Sequence, residues 1–273
     1  MKARSMLADL ALLIRRYPLW LAVSAAVGLV FFASPGDYTS TSYRVLHGLC
    51  AQTPSHTIHF GDRPLPFDAR MTGIYGGVIV TLATLLVRRR MFHYGNPPRR
   101  VVMLLGAFVV GMAFDGFNSL FTDLDIWHPW ESSSISRVVT GYGVGVALAV
   151  ALCWLLSSST WRMSKPEAGV GSPRDLVVPA VGLAAYGVLL VWSPSWLHLP
   201  VSMMLVISAW ITVTMLVLVI VLLALNLDSS VRSIRELHVP VAMAGLLAVT
   251  VMLGLAGLRF WVEHTIGFSN AML

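Results

Sequence analysis

Val101-Val-Met-Leu-Leu-Gly-Ala-Phe-Val-Val-Gly-Met-Ala-Phe-Asp115-Gly-Phe-Asn118-Ser-Leu-Phe121 holds one ionisable side chain in a stretch otherwise suited to hydrocarbon. A helix needs roughly 20 mostly apolar residues to cross a bilayer. This run has that length and contains no proline to break it. Comparable runs occupy residues 18–32, 71–87, 137–156, 176–191, 200–225 and 239–258. Together they predict an all-α, polytopic transmembrane bundle of about seven spans. Composition agrees, because 56% of the 273 residues are hydrophobic and 12% are charged. A soluble domain carries about 25% charged residues.

Residues 1–16 carry Lys2, Arg4, Arg15 and Arg16, with Met6, Leu7, Leu10, Leu13 and Ile14 at helical spacing. They read as an amphipathic N-terminal helix on the membrane surface. A basic start with small residues near Ala33 also fits a signal peptide. The amphipathic basic segment and the long apolar run after it favour a retained anchor. Further groups of cations mark Arg88 to Arg100, Arg162, Lys165 and Arg174, and Arg232 and Arg235. These segments alternate along the chain, so one side of the membrane can hold all of them. The positive-inside rule then places the chain in the cell membrane with its N-terminus cytoplasmic and its C-terminus external. It also accounts for the net charge of +6 without nucleic acid as a partner. Residues 1–156 form the first membrane region, with an external polar loop at 36–70. Residues 157–175, with Pro166, Gly169, Gly171 and Pro173, read as a flexible cytoplasmic linker. Residues 176–273 form a second region of three helices.

Polar chemistry collects toward the external side. Asp115 lies inside its span, about 9 Å from the end at 1.5 Å per residue. A carboxylate there costs several kcal/mol unless it is paired or near water, so it marks either a functional site or a structural ion pair that fixes helix register. Asn118 shares its helix face. Arg70 and Arg137 stand at the outer ends of neighbouring spans, within reach of Asp115. Gly73 with Gly77, and Gly141 with Gly145, form faces of small residues that let helices approach closely. The 36–70 loop adds His47, Cys50, His56, His59, Asp62 and Asp68. Imidazole and carboxylate are metal ligands, so a divalent metal on His56, His59 and Asp68 is the cofactor this loop admits. Its spacing matches no standard finger, and Cys50 and Cys153 lie too far apart in character to expect a disulfide. Trp127, Trp130, Trp192, Trp196 and Trp261 read as an interfacial belt. No lysine lies in a span, and no P-loop, HExxH or Gly-x-Ser-x-Gly occurs.

The stretch from Cys50 to Gly77, then Phe114-Asp115-Gly116 and Arg137-Val-Val-Thr140-Gly141, resembles the prokaryotic membrane family called domain of unknown function 2085. The family pattern opens Cys-His-Gln and continues Gly-x-x-Leu-Pro-x-Cys-x-Arg-Cys-x-Gly-Ile-Tyr-x-Gly, which implies a Cys/His site. Here Cys50 and Gln52 stand, but Ala51, Asp68 and Met71 replace the His and the later Cys positions. Arg70, Gly73, Ile74, Tyr75, Gly77, Asp115, Arg137, Thr140 and Gly141 match. The resemblance therefore implies a scaffold with an Arg/Asp core and brings Tyr75 into the binding set.

These readings converge on a binding or accessory protein with an outward-facing polar pocket. Arg63, Arg70, Tyr75, Asp115, Asn118 and Arg137 would engage a lipid headgroup, a small molecule or a partner membrane subunit. The alternative is an outward-facing membrane enzyme, metal-dependent in one version, acting on a lipid-linked or small substrate. A transporter ranks third, because the sequence shows neither inverted repeats nor broken helices.

Overall fold

The computed structural model describes residues 38–160, 166–224 and 237–266. The expected amphipathic helix at 1–16 and the first span at 18–32 lie outside the described residues. The chain enters through helix α1 (Tyr38–Leu46) and a 3-10 turn (Pro54–His56), then forms strands β1 (Thr57–Phe60) and β2 (Arg63–Asp68). Six long helices follow: α2 (Ala69–Val87), α3 (Arg99–Asp123), α4 (Ser134–Thr160), α5 (Val177–Trp192), α6 (His198–Ala224) and α7 (His238–Ile266). All six are long and apolar enough to cross a membrane, in agreement with the expected spans. The result is a polytopic helical bundle, capped at one end by a small hairpin.

The hairpin corrects the reading of 36–70 as a polar loop. Gly61-Asp62 forms the two-residue turn between the strands. Gly61 takes φ +62° there, a left-handed conformation that glycine adopts without steric cost. β1 and β2 pair antiparallel, with Phe60 opposite Arg63 and Thr57 opposite Asp68. Phe60, Leu65 and Phe67 are fully buried, so the hairpin is packed down onto the bundle. Pro64 and Pro66 are tolerated because β2 has no strand beyond it that would require their missing N–H groups. Phe67 stacks on Tyr75 at 4.7 Å between ring centres. Asp68 then starts α2 as its N-cap, accepting from the Met71 N–H at 2.8 Å.

α2 and α4 make the closest helix pair. A methyl group added at Gly73 would overlap the Val138 carbonyl, and one at Gly77 would overlap that of Tyr142. In the reverse direction, Gly141 lies against the Arg70 carbonyl and Gly145 against that of Ile74. The four glycines thus interlock two backbones, the usual basis of tight association in lipid. α6 packs against α2, α4 and α7 and is largely buried. α3 lies at the edge of the bundle, and its buried residues are Val101, Asp115, Asn118 and Ser119. Phe114 and Phe117 beside them are exposed by 66% and 61%. Such a helix hides its polar groups and shows its aromatic ones, which is the arrangement lipid favours.

Chain direction alternates from helix to helix, so each end of the bundle has a distinct character. The hairpin end carries Trp127, Trp130, Trp192, Trp196 and Trp261, all exposed. The opposite end carries Arg88, Arg89, Arg90, Arg99 and Arg100. There Arg88 and Arg90 hold the two oxygens of Asp175 at 3.0 and 3.2 Å. The same carboxylate accepts from the N–H groups of Gly171 and Ser172.

Candidate functional site

Asp115 is 2% exposed and lies where α2, α3 and α4 meet beneath the hairpin. Arg70, in the first turn of α2, donates from Nη2 to Asp115 Oδ2 at 2.9 Å. The Thr140 hydroxyl lies 3.2 Å from the same oxygen and 2.8 Å from the Ser136 carbonyl. One hydroxyl proton cannot serve both acceptors, so Arg70 is the firm partner. Asp115 Oδ1 is buried and has no hydrogen-bond partner in the protein, and neither has Arg70 Nε.

Arg137 lies one turn before Gly141, the residue packed on the Arg70 backbone, and is 6% exposed. Its Nη2 donates to Ser119 Oγ at 2.8 Å. The nearest carboxylate oxygen, Asp123 Oδ1, is 3.9 Å away on a half-exposed side chain. Arg137 Nε also lacks a partner. The buried guanidinium is therefore held by one hydroxyl and, loosely, by the Asp123 carboxylate, and its Nε donor is left over. Asp123 bridges outward to His56 Nε2 at 3.3 Å. A polar chain therefore runs from the surface through His56, Asp123 and Arg137 to Ser119, with Arg70 and Asp115 beside it.

Of the residues expected to bind a ligand, the structure brings Arg70, Asp115 and Arg137 together. Asn118 lies next to them, but both ends of its amide hold the backbone of Trp130, at 2.8 and 3.4 Å. That fastens the loop between α3 and α4 over the site. Tyr75 is buried elsewhere, under Phe67, and Arg63 is exposed at the hairpin turn. The residues expected to bind metal have separate roles. His56 pairs with Asp123, His59 Nδ1 faces the Thr57 carbonyl at 3.1 Å, and Asp68 caps α2. Among the described residues no group of three or more His, Cys, Asp or Glu side chains is arranged to hold a metal. Ser119 and Asp123 were not singled out from the sequence. Both lie on the Asp115 face of α3, one and two helical repeats further along.

A second polar cluster clasps the hairpin segment to α7. His47 is 3% exposed and stacks on Phe260 at 4.2 Å. Its ring nitrogens reach Gln52 Oε1 at 2.9 Å and Glu263 Oε2 at 2.7 Å. Gln52 Nε2 donates to the carbonyls of Tyr43 and Pro66, both at 3.0 Å. Those bonds hold Gln52 at φ +52°. Arg259 donates to Glu263 at 2.8 Å and to the carbonyls of His47, Cys50 and Ala51. Cys50 and Cys153 are both free and buried. Burial and the neighbouring Asp68 carboxylate push the Cys50 thiol up to about 12, so it is a poor nucleophile at neutral pH.

The segment holding Cys50, the hairpin, α2, α3 and most of α4 is also the part with recognisable relatives. Residues 50–151 match DUF2085, a family of predicted membrane proteins. The DUF2085 match covers less than half of the chain but includes Arg70, Asp115, Ser119, Asp123, Arg137 and Thr140. α5, α6 and α7 lie beyond it. No curated protein and no solved structure matches the chain.

Proposed function

We propose that this multi-pass membrane protein is a binding protein whose polar site beneath the hairpin takes an anionic group. The observation that carries this reading is Arg137, buried with its Nε unpartnered and only a loose pairing, at 3.9 Å, to Asp123. Arg70 Nε adds a second unpaired donor. A phosphate or carboxylate supplies acceptors for both, in the planar geometry guanidinium groups favour. A hydroxyl beside that anion supplies a donor for Asp115 Oδ1. The binding reading is preferred to an enzymatic one because His59, Asp68 and Cys50 are occupied structurally or chemically quiet. An accessory role beside another membrane subunit is compatible with the same site.

The site faces outward in this proposal. Support comes from the arginines at the opposite end, which the positive-inside rule assigns to the cytoplasm. The test is mass spectrometry of an organic and aqueous extract of the detergent-purified protein. The wild type is expected to release an anionic compound in near-stoichiometric amount, and Arg137→Gln is expected to lose it. Equal recovery from the two proteins would remove the site from consideration.

A further inference from the structure

Two apolar cavities run along the seam between α4 and α5. One, of about 460 Å³, lies among α3, α4 and α5 and is lined by Phe108, Gly111, Thr140 and Pro179. The other, of about 420 Å³, reaches the hairpin end, with Ile58, Ser134 and Gly187 on its walls. Val139 and Leu183 line both, so the two adjoin end to end. The furrow follows α5 for most of its length, about 22 Å at 1.5 Å per residue. Thr140 belongs to its wall, and the Thr140 hydroxyl is 3.2 Å from Asp115 Oδ2. An apolar furrow therefore opens beside the charged site, one side chain away.

We propose that the ligand is an amphiphile: its anionic head sits at Arg70 and Arg137, and its single apolar tail lies in the α4–α5 furrow. This rests on the anionic-group reading above and narrows it. The furrow suits a linear chain rather than a helix. A helix about 10 Å across would need roughly twice the volume the two cavities offer over that length. Thr140, which belongs both to the furrow wall and to the surroundings of Asp115, distinguishes the furrow from ordinary lipid contact. Size agrees as well, because each cavity falls within the roughly 300–1,000 Å³ range of small-molecule pockets.

The test uses detergent-solubilised protein and three probes: glycerol 3-phosphate, a single-chain lysophosphatidate and lysophosphatidylcholine with the same tail. Binding is read by displacement of a fluorescent lysophosphatidate. Lysophosphatidate is expected to bind at least about 100-fold tighter than glycerol 3-phosphate, a gain that burial of three or four methylenes supplies. Lysophosphatidylcholine is expected to bind far more weakly. Gly111 and Gly187 have no atom within 4 Å of where a side chain would start, so Gly111→Leu and Gly187→Leu fill the furrow without disturbing the fold. Each is expected to weaken lysophosphatidate about tenfold and leave glycerol 3-phosphate unchanged, whereas Arg137→Gln weakens both. Equal affinity with and without the tail, or indifference to both leucine variants, would overturn the amphiphile and leave the anionic-group reading standing. Failure of glycerol 3-phosphate and lysophosphatidate alike would overturn both.

Discussion

Asp115 and Arg70 are unequal partners, because the carboxylate side chain is 3% exposed and the guanidinium 26%. Asp115→Asn leaves Arg70 without its buried counter-charge. Removing one member of a buried pair costs about 3–5 kcal/mol, and the partial exposure of Arg70 puts the expectation at the low end. Thermal unfolding in detergent should show that loss, and an Arg70→Gln, Asp115→Asn double variant should recover part of it. A double variant no more stable than Asp115→Asn would mean that the pair is not coupled. Cys50 gives an independent check of burial beneath the hairpin. With its thiol near 12, the thiolate at pH 8 is about three orders of magnitude scarcer than for an ordinary cysteine near 8.5. Maleimide labelling of Cys50 should be negligible until the protein is denatured, as read by peptide mass spectrometry. Rapid labelling in the folded state would show that the segment opens. A raised thiol value stabilises the fold below the unfolded thiol's range, and that contribution declines as pH rises from about 8.5 toward 12.

At the scale of elements, the hairpin and the α2–α4 pair position everything else. Gly141→Ala forces a methyl group against the Arg70 carbonyl and should cost about 1–3 kcal/mol by overpacking. Gly106→Ala, with open space around it, should be neutral or slightly stabilising. If the two behave alike in thermal unfolding, the α2–α4 interlock is not what sets their separation. Asp68→Ala should cost about 0.5–2 kcal/mol as a lost N-cap. The same stability from wild type and variant would mean the cap contributes nothing. The six described spans were legible in the sequence because apolar length is a local property, and observed ends differ from expected ones by a turn or less in most cases. α7 is the exception, continuing to Ile266, because Arg259 and Glu263 pair with each other and with the hairpin segment instead of ending the helix. The hairpin was missed for the opposite reason. Pro64 and Pro66 read as loop signals, and only the packing of Phe60, Leu65 and Phe67 beneath makes those residues a strand. The contact of Arg70 and Arg137 with the Asp115 region could be anticipated from helix ends and glycine faces. The engagement of Asn118 by Trp130 could not, since it depends on how the intervening loop folds back.

Taken whole, the bundle has a hairpin end rich in tryptophan and an opposite end with the exposed cluster Arg88, Arg89, Arg99 and Arg100, and the proposal sets the first outside the cell. Asp62 is exposed at the hairpin turn and Arg100 at the start of α3. Asp62→Cys should therefore react with a membrane-impermeant maleimide on intact cells, and Arg100→Cys only after permeabilisation. The reverse pattern would invert the molecule and turn the polar site toward the cytoplasm. The central claim is that the buried Arg70–Asp115–Arg137 cluster holds an anionic ligand from the membrane. Its most direct test is a crystal structure grown from a lipidic mesophase. The account predicts non-protein density bonded to Arg70 and Arg137, extending as a narrow tail along α4 and α5. Both guanidinium groups bonded only to protein atoms and water, with the furrow filled by neighbouring side chains, would contradict it.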